Sequence, residues 1–198
     1  YNYVQKNTVQ KCLVVNKNTF DYKSDKYKSC VGDRDKLFSI PNGPLSKSMS
    51  KNMRGVVRIN NNIFCHGGIS LDISNKFDIN KINKILYAYL TGKLDYNSKL
   101  FQTIYGSDGI IWFREFSKND DNCGALKQTL KNLKCKRMIV GHTPQKNGIT
   151  NYCKQYNESI WAIDVGLSRA FNTKQFCQYL VIENDIPSIK QCDLLKEC

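Results

Sequence analysis

The sequence predicts a mixed α/β fold in which sheets pack together. Three observations carry this expectation. Short apolar runs of strand length recur at Val56-Val57-Arg58-Ile59, Ile63-Phe64-Cys65, Arg137-Met138-Ile139-Val140 and Ser159-Ile160-Trp161-Ala162-Ile163. Two stretches between them have helical spacing. Strands outnumber helices in the last third, which runs against strict βαβ alternation.

The elements follow in chain order. Residues 1–36 form a polar, Lys- and Tyr-rich leading segment with one apolar stretch, Cys12-Leu13-Val14-Val15. Pro41-Asn42-Gly43-Pro44 is a turn cluster. Leu45, Met49 and Met53 then recur at i, i+4 and i+8, marking one face of a short helix. Asn60-Asn61 supplies a tight hairpin turn between the first two strands. Asp78 caps a helix whose apolar face is Ile79, Ile82, Leu86 and Tyr89 and which ends at Gly92. A second helix fits residues 121–133, with Ala125, Leu126, Leu130 and Leu133 inward. Gln175-Phe176-Cys177-Gln178-Tyr179-Leu180-Val181-Ile182 is a further strand and ends at the turn Glu183-Asn184-Asp185.

Composition bounds the function. The chain has 198 residues, 41% apolar and 24% charged, which suits a globular domain and excludes disorder throughout. No apolar run approaches the roughly 18 residues of a membrane-spanning helix. The chain opens on Tyr1 without a basic-then-apolar leader and reads as a piece of a longer protein. The net charge is +13, yet Arg occurs only six times against twenty-four scattered Lys. Base readers and phosphate clamps favour the planar Arg fork, so compositional drift explains the charge better than a nucleic-acid surface. A positive field still steers anionic substrates. The nine cysteines include no C-x-x-C pair, so a zinc ribbon has no support. Cys65, Cys135 and Cys177 sit in strand-like runs and read as small core residues. A reducing, cytoplasmic setting is the simpler inference, with a secreted chain carrying a few disulfides as the alternative.

The chain has two histidines, and both directly follow an apolar strand in a glycine turn. The first lies in Ile63-Phe64-Cys65-His66-Gly67-Gly68, the second in Met138-Ile139-Val140-Gly141-His142-Thr143-Pro144-Gln145. Strand ends present side chains to a shared cleft, and glycine lets a metal or oxyanion approach the backbone. Neutral imidazole is a common ligand of transition metals. Either histidine alone reads better as a structural residue at a turn; the repeated context makes the pair informative. In Ile160-Trp161-Ala162-Ile163-Asp164-Val165-Gly166-Leu167-Ser168 a third strand ends at Asp164. This carboxylate either accepts a hydrogen bond from a ligating imidazole or caps its own turn, and sequence leaves both open.

The strings HGG, GHTPQ and IDVGLS, in that order, resemble the second half of a calcineurin-like metallophosphoesterase, in the branch of the Shewanella-like (bacterial-like) protein phosphatases. Gly109-Ile110-Ile111-Trp112-Phe113-Arg114 is similar to that branch's Gly-Pro-x-Trp-x-Arg segment but lacks Pro. Pro41-Asn42-Gly43-Pro44-Leu45 is an imperfect likeness of its Pro-Gly-Gly-x-Leu turn. Residues 37–170 carry the resemblance, and the whole of 1–198 would be the C-terminal part of one such domain, with 37–198 its motif-bearing region. The implied fold is a metallophosphatase-type β-sandwich flanked by helices, here incomplete.

The implied activity is hydrolysis of phosphomonoesters, phosphoproteins foremost, by a hydroxide bridging two divalent transition-metal ions (Mn, Fe or Zn). His66 and His142 would ligate the same one of the two metals. Arg114 would clamp the phosphate as catalytic and substrate-binding residue, unless it merely pairs with Glu115. Asp164 would stand behind a ligand. The family's Asp-x-His, Gly-Asp-x-x-Asp-Arg-Gly and Gly-Asn-His strings are absent, and Gly32-Asp33-Arg34-Asp35 is only a superficial echo. The resemblance therefore implies an inactive fragment that holds at most one metal, weakly. A dinucleoside polyphosphate hydrolase on the same fold and a non-catalytic interaction module are the alternatives. The expected partner is a phosphorylated protein or small molecule, with neither nucleic acid nor a membrane span.

Overall fold

A computed structural model describes residues 25–154, 159–167 and 177–192. The chain divides into two compact units. The first takes the described residues up to Met53 together with Tyr87–Leu94, and the second takes the rest. The first unit holds helix α1 (Asp25–Phe38) and helix α2 (Pro44–Asn52). Ser46 and Ser50 form the buried face of α2, while Leu45 and Met49 are half-buried and Met53 is exposed. The expected stripe of Leu45, Met49 and Met53 is corrected accordingly. Ser46 lies inward because its hydroxyl donates to the Leu90 carbonyl at 3.1 Å, which satisfies a buried polar group.

The second unit is built on a five-stranded sheet. Strands β1 (Val56–Ile59) and β2 (Asn62–Cys65) form the expected hairpin, with Asn60 in the left-handed region at φ 53°. β2 pairs in parallel with β3 (Arg137–Val140), and β3 pairs in parallel with β5 (Ser159–Ala162). The three-residue β4 (Thr150–Tyr152) closes the far edge antiparallel to β5, so the strand order is β1-β2-β3-β5-β4. A separate hairpin follows, β6 (Gln178–Glu183) and β7 (Ile186–Gln191), turning at the left-handed pair Asn184 and Asp185. The order is mixed α/β, as the sequence predicted. The apolar stretch at 12–15 and the start of the expected strand at 175–176 lie outside the described residues.

Register decides what each face of the sheet buries. Ile63, Met138 and Ile160 are paired across β2, β3 and β5 and are fully buried. Phe64, Ile139 and Trp161 form the next row and point to the opposite face, because side chains alternate along a strand. On that face Leu180 and Ile182 of β6 pack against Ile139, Ile149, Trp161 and Val165. The two sheets thus share one layer of apolar side chains, as in a sandwich.

Helices α3 (Leu71–Lys76), α4 (Ile79–Leu90), α5 (Lys99–Tyr105) and α6 (Cys123–Asn132) fill the long connection from β2 to β3. Asp78 caps α4 by accepting the Lys81 N–H at 2.7 Å, and its most buried residues are Ile82, Ile85 and Leu90. Helix α6 turns Leu126 and Leu130 inward, followed by Leu133 at its end. No helix among the described residues is long and apolar enough to cross a membrane.

Among the described residues two disulfides are present, Cys123–Cys153 and Cys177–Cys192, while Cys65 and Cys135 are free. Cys177 is therefore not a free core thiol. The β6–β7 register pairs Gln178 with Gln191, which sets Cys177 opposite Cys192 at a Cα separation of 5.1 Å. Such pairs persist in oxidising surroundings, so they lend no support to a reducing compartment.

One polar lock ties the hairpin to the sheet. The Arg137 guanidinium donates to the Asp185 carboxylate at 2.6 Å, to the Asp185 carbonyl at 2.6 Å and to Asn62 Oδ1 at 3.1 Å. Lys136 adds a fourth contact at 3.0 Å. The hydrogen bonds from Arg137 and then Lys136 hold the Asp185 carboxyl down at about 2. A depressed carboxyl contributes stability above its ordinary value of 3.8 and loses it as pH falls toward 2. Urea unfolding at pH 7, 4 and 2.5 should show this loss, and Asp185→Asn should flatten that part of the profile. Truncating the row between β3 and its neighbours, as in Ile160→Ala, should cost about 2–5 kcal/mol in the same assay.

Candidate metal centre

The site forms where three parallel strands end level. Cys65, Val140 and Ala162 are register partners at the ends of β2, β3 and β5. The ladder continues one step beyond them, with Gly141 N–H donating to the His66 carbonyl at 2.9 Å and Ile163 N–H to the Val140 carbonyl at 2.8 Å. His66, His142 and Asp164 are thereby carried to one edge of the sheet. The two imidazole rings lie 4.8 Å apart, centroid to centroid, at an interplanar angle of 49°. His142 adopts φ 63°, a left-handed conformation uncommon for residues other than glycine.

The segment that carries Arg114 is brought in by the glycines after His66. Gly67 and Gly68 N–H both donate to the Ile110 carbonyl, at 2.8 and 3.1 Å. A Cβ on Gly67 would lie 2.7 Å from the Ile111 oxygen and 2.8 Å from the Phe113 oxygen. Only glycine permits that approach. Trp112 consequently stands edge-on to His142, with ring centroids 5.3 Å apart, and remains 56% exposed. Arg114 is half-buried, and its charge reaches His142. Glu115 pairs instead with Lys118 at 3.0 Å, and no carboxylate among the described residues pairs with Arg114.

The chemistry of His142 is set by these neighbours. Desolvation lowers its pKa first, the Arg114 and His66 charges lower it further, and Asp164 and a hydrogen bond to the Trp112 backbone work the other way. Its Nε2 is buried and has no hydrogen-bond partner among the described residues. A buried nitrogen of this kind is costly to leave unpaired. An exposed second imidazole beside it makes the pair a fitting donor set for a transition metal.

Asp164 is half-buried at the same edge, where its carboxylate accepts the Gly166 N–H at 3.0 Å. It caps its own turn. Cys65, next to His66, is a free, half-buried cysteine, and desolvation pushes its thiol up to about 12. Two features were not singled out by sequence reasoning: the Trp112 contact and the buried amide of Gln145. Both lie inside quoted motifs, but their contacts join segments distant in sequence.

No protein-family model matches the chain. It is 33% identical over 157 residues to Shewanella-like protein phosphatase 1 of Plasmodium berghei, covering 74% of this chain and 41% of that protein. It is 29% identical over 135 residues to Shewanella-like protein phosphatase 2 of Arabidopsis thaliana, covering 65% of this chain and 33% of that one. The chain is a relative of the Shewanella-like protein phosphatases. It spans about a third to two fifths of their length. An uncharacterised protein of Acanthamoeba polyphaga mimivirus is 29% identical over 203 residues, covering 86% of this chain and 80% of that protein. Among solved structures, a point mutant of a cold-active protein tyrosine phosphatase superposes with a TM-score of 0.67 at 19% identity, over 89% of this chain and 50% of that one. This likeness shows the fold alone: the chain shares the fold of about half of that solved structure.

The depressed basicity of His142 has a measurable sign. Its ring should give up its proton at a lower pH than an ordinary imidazole does, and nitrogen-edited NMR of the histidine rings reads this directly. Because the unfolded ring binds its proton more readily, stability should fall as pH drops below about 6.5.

Proposed function

We propose that this chain is the second half of a metal-dependent phosphatase acting on phosphomonoesters, with phosphoproteins as the substrate class. The observation that carries the reading is the pairing of His66 with a His142 whose buried Nε2 lacks a partner. In this reading both imidazoles hold the same metal ion, one of two divalent transition metals (Mn, Fe or Zn) in the complete site. The metals supply an activated water nucleophile at neutral pH and neutralise charge on the phosphoryl group.

The chain's own residues do the rest. His142 offers a buried Nε2 that has no other partner among the described residues. Arg114, half-buried and without a carboxylate partner among the described residues, grips two phosphoryl oxygens and orients the group in the reacting position. Trp112 presents an exposed indole beside this position, which gives an aromatic phosphate carrier a face to stack on. That feature agrees with the tyrosine phosphatase name of the solved structures and favours phosphotyrosine over aliphatic phosphoesters. Two imidazoles without a bridging carboxylate hold one metal weakly, so the 198-residue chain alone is inactive, and its partner group is a phosphorylated substrate.

Calorimetric titration of the chain with Mn or Zn tests the ligand set. One weak site is expected, removed by His66→Ala and by His142→Ala; tight binding of two ions would overturn the assignment. In the full-length protein Arg114→Ala should lower kcat/KM on phosphotyrosine by about a hundredfold, with little recovery in Arg114→Lys. Equal rates on phosphotyrosine and phosphoserine would remove the role given to Trp112. Preference for a dinucleoside polyphosphate would replace the substrate class.

A further inference from the structure

Asp120, Cys123 and Cys153 form a second cluster of ligating side chains, apart from the histidine pair, although no C-x-x-C string announces it. Asp120 follows the 3-10 turn Glu115–Ser117, Cys123 opens α6, and Cys153 directly follows β4. The fold gathers one carboxylate oxygen and the two sulfurs within 4.8 Å of one another. The backbone holds this arrangement. Cys153 N–H donates to Asp120 Oδ1 at 2.6 Å, and Cys153 itself sits in the left-handed region at φ 61°. Cys123 Sγ lies 3.0 Å from the Asp120 carbonyl oxygen. Both cysteines are buried, whereas Asp120 is exposed, and a Cβ on Gly124 beside Cys123 would meet nothing within 4 Å. Two shielded sulfurs thus share one side open to solvent.

In the structure the two sulfurs are joined as a disulfide. A disulfide draws nothing from a carboxylate at this distance, whereas a cation draws charge and a third ligand from it. A thiol reductant supplies two electrons and two protons, breaks the sulfur–sulfur bond and leaves as its own disulfide. The two thiols then keep their protons, because burial and a neighbouring carboxylate both oppose a thiolate. A divalent cation reverses that balance: two metal–sulfur bonds form and both protons go to solvent. Ligand atoms around one tetrahedral ion stand about 3.5 Å apart. Cα atoms 5.4 Å apart leave the sulfurs room for that separation once their bond is broken. We propose that in the reduced chain Asp120, Cys123 and Cys153 bind a thiolate-seeking divalent cation, Zn foremost, which takes the place of the disulfide. Three protein ligands leave the fourth position to water. The neighbourhood gives this exchange a purpose. Tyr152, just before Cys153, donates its hydroxyl to Gln145 Oε1 at 2.8 Å, and Gln145 Nε2 donates to the Ser117 and Thr143 carbonyls at 3.2 and 2.7 Å. The ion keeps the Asp120 loop tied to this framework where a disulfide does not persist.

The test uses this chain, reduced with a dithiol, freed of it under nitrogen and titrated with Co, whose charge-transfer absorption reports thiolate ligands. One equivalent should bring up that absorption, Zn should displace it, and the oxidised chain should show none. The histidine pair gives no thiolate absorption, so its occupancy does not enter. Alkylation with peptide mass mapping identifies the sulfurs: Co should protect Cys123 and Cys153 and leave Cys177 and Cys192 open. Cys123→Ser should abolish the absorption. Asp120→Asn keeps an acceptor for the Cys153 N–H and should weaken Co binding at least about tenfold; it decides the question if Cys123→Ser fails to fold. A reduced chain without thiolate absorption overturns the proposal. So does protection of other cysteines in place of this pair, or an unchanged Co affinity in Asp120→Asn.

Discussion

The level ending of three parallel strands is the constraint from which the site follows. β2, β3 and β5 are neighbours in unbroken register, so whatever stands one or two residues past each strand is delivered to the same edge. More than seventy residues separate His66 from His142, and only the sheet can bring them together. The register in turn depends on the buried row Ile63, Met138 and Ile160: a slip of one residue in any strand would turn these side chains toward the wrong face. Core packing and ligand geometry are thus specified by the same pairing.

Close approach and strain do the finer placement. The Gly67-Gly68 turn admits the backbone of 110–113, which brings Trp112 and Arg114 against the histidines. His142 occupies a left-handed conformation costing on the order of 1–2 kcal/mol, and such a conformation persists only where its surroundings over-determine it. The hydrogen bonds of Gln145, Ser117 and Thr143 are those surroundings. The Cys123–Cys153 disulfide adds a covalent tie, as Cys153 directly follows Tyr152 and its N–H donates to Asp120 Oδ1 at 2.6 Å.

Much of this architecture was legible in the sequence because it rests on local patterns. The strands β1, β2, β3 and β5 are apolar runs bounded by turn residues, and α4 and α6 show clear helical spacing. β4 escaped notice because three residues, Thr150-Asn151-Tyr152, carry no periodicity. β7 escaped because Pro187 interrupts its pattern, which an edge strand tolerates. The inward face of α2 was misread since a serine that satisfies a distant carbonyl looks polar in sequence. The same reason hid the Cys177–Cys192 pairing, which depends on hairpin register, and the hub at Gln145, whose partners lie up to 28 residues away. Long-range polar satisfaction leaves no periodic trace.

The electrostatics of the site explain why a carboxylate matters to the proposed chemistry. Burial is the first cause that makes a proton unwelcome on His142, and the Arg114 charge that adds to it makes a metal cation unwelcome as well, while a neutral His66 donates a lone pair. A lower basicity frees Nε2 from competition with protons at neutral pH, yet the positive surroundings work against the ion that would replace them. Asp164 is the residue whose charge opposes this effect at His142, and a single carboxylate charge offset by a guanidinium charge leaves little net attraction for a divalent ion. Anionic ligands supplied from outside this chain would reverse the balance, and Arg114 would then be free to act on the phosphate. The metal affinity of the site and its grip on an anionic substrate are therefore opposed within these residues, and added negative charge would be needed to serve both.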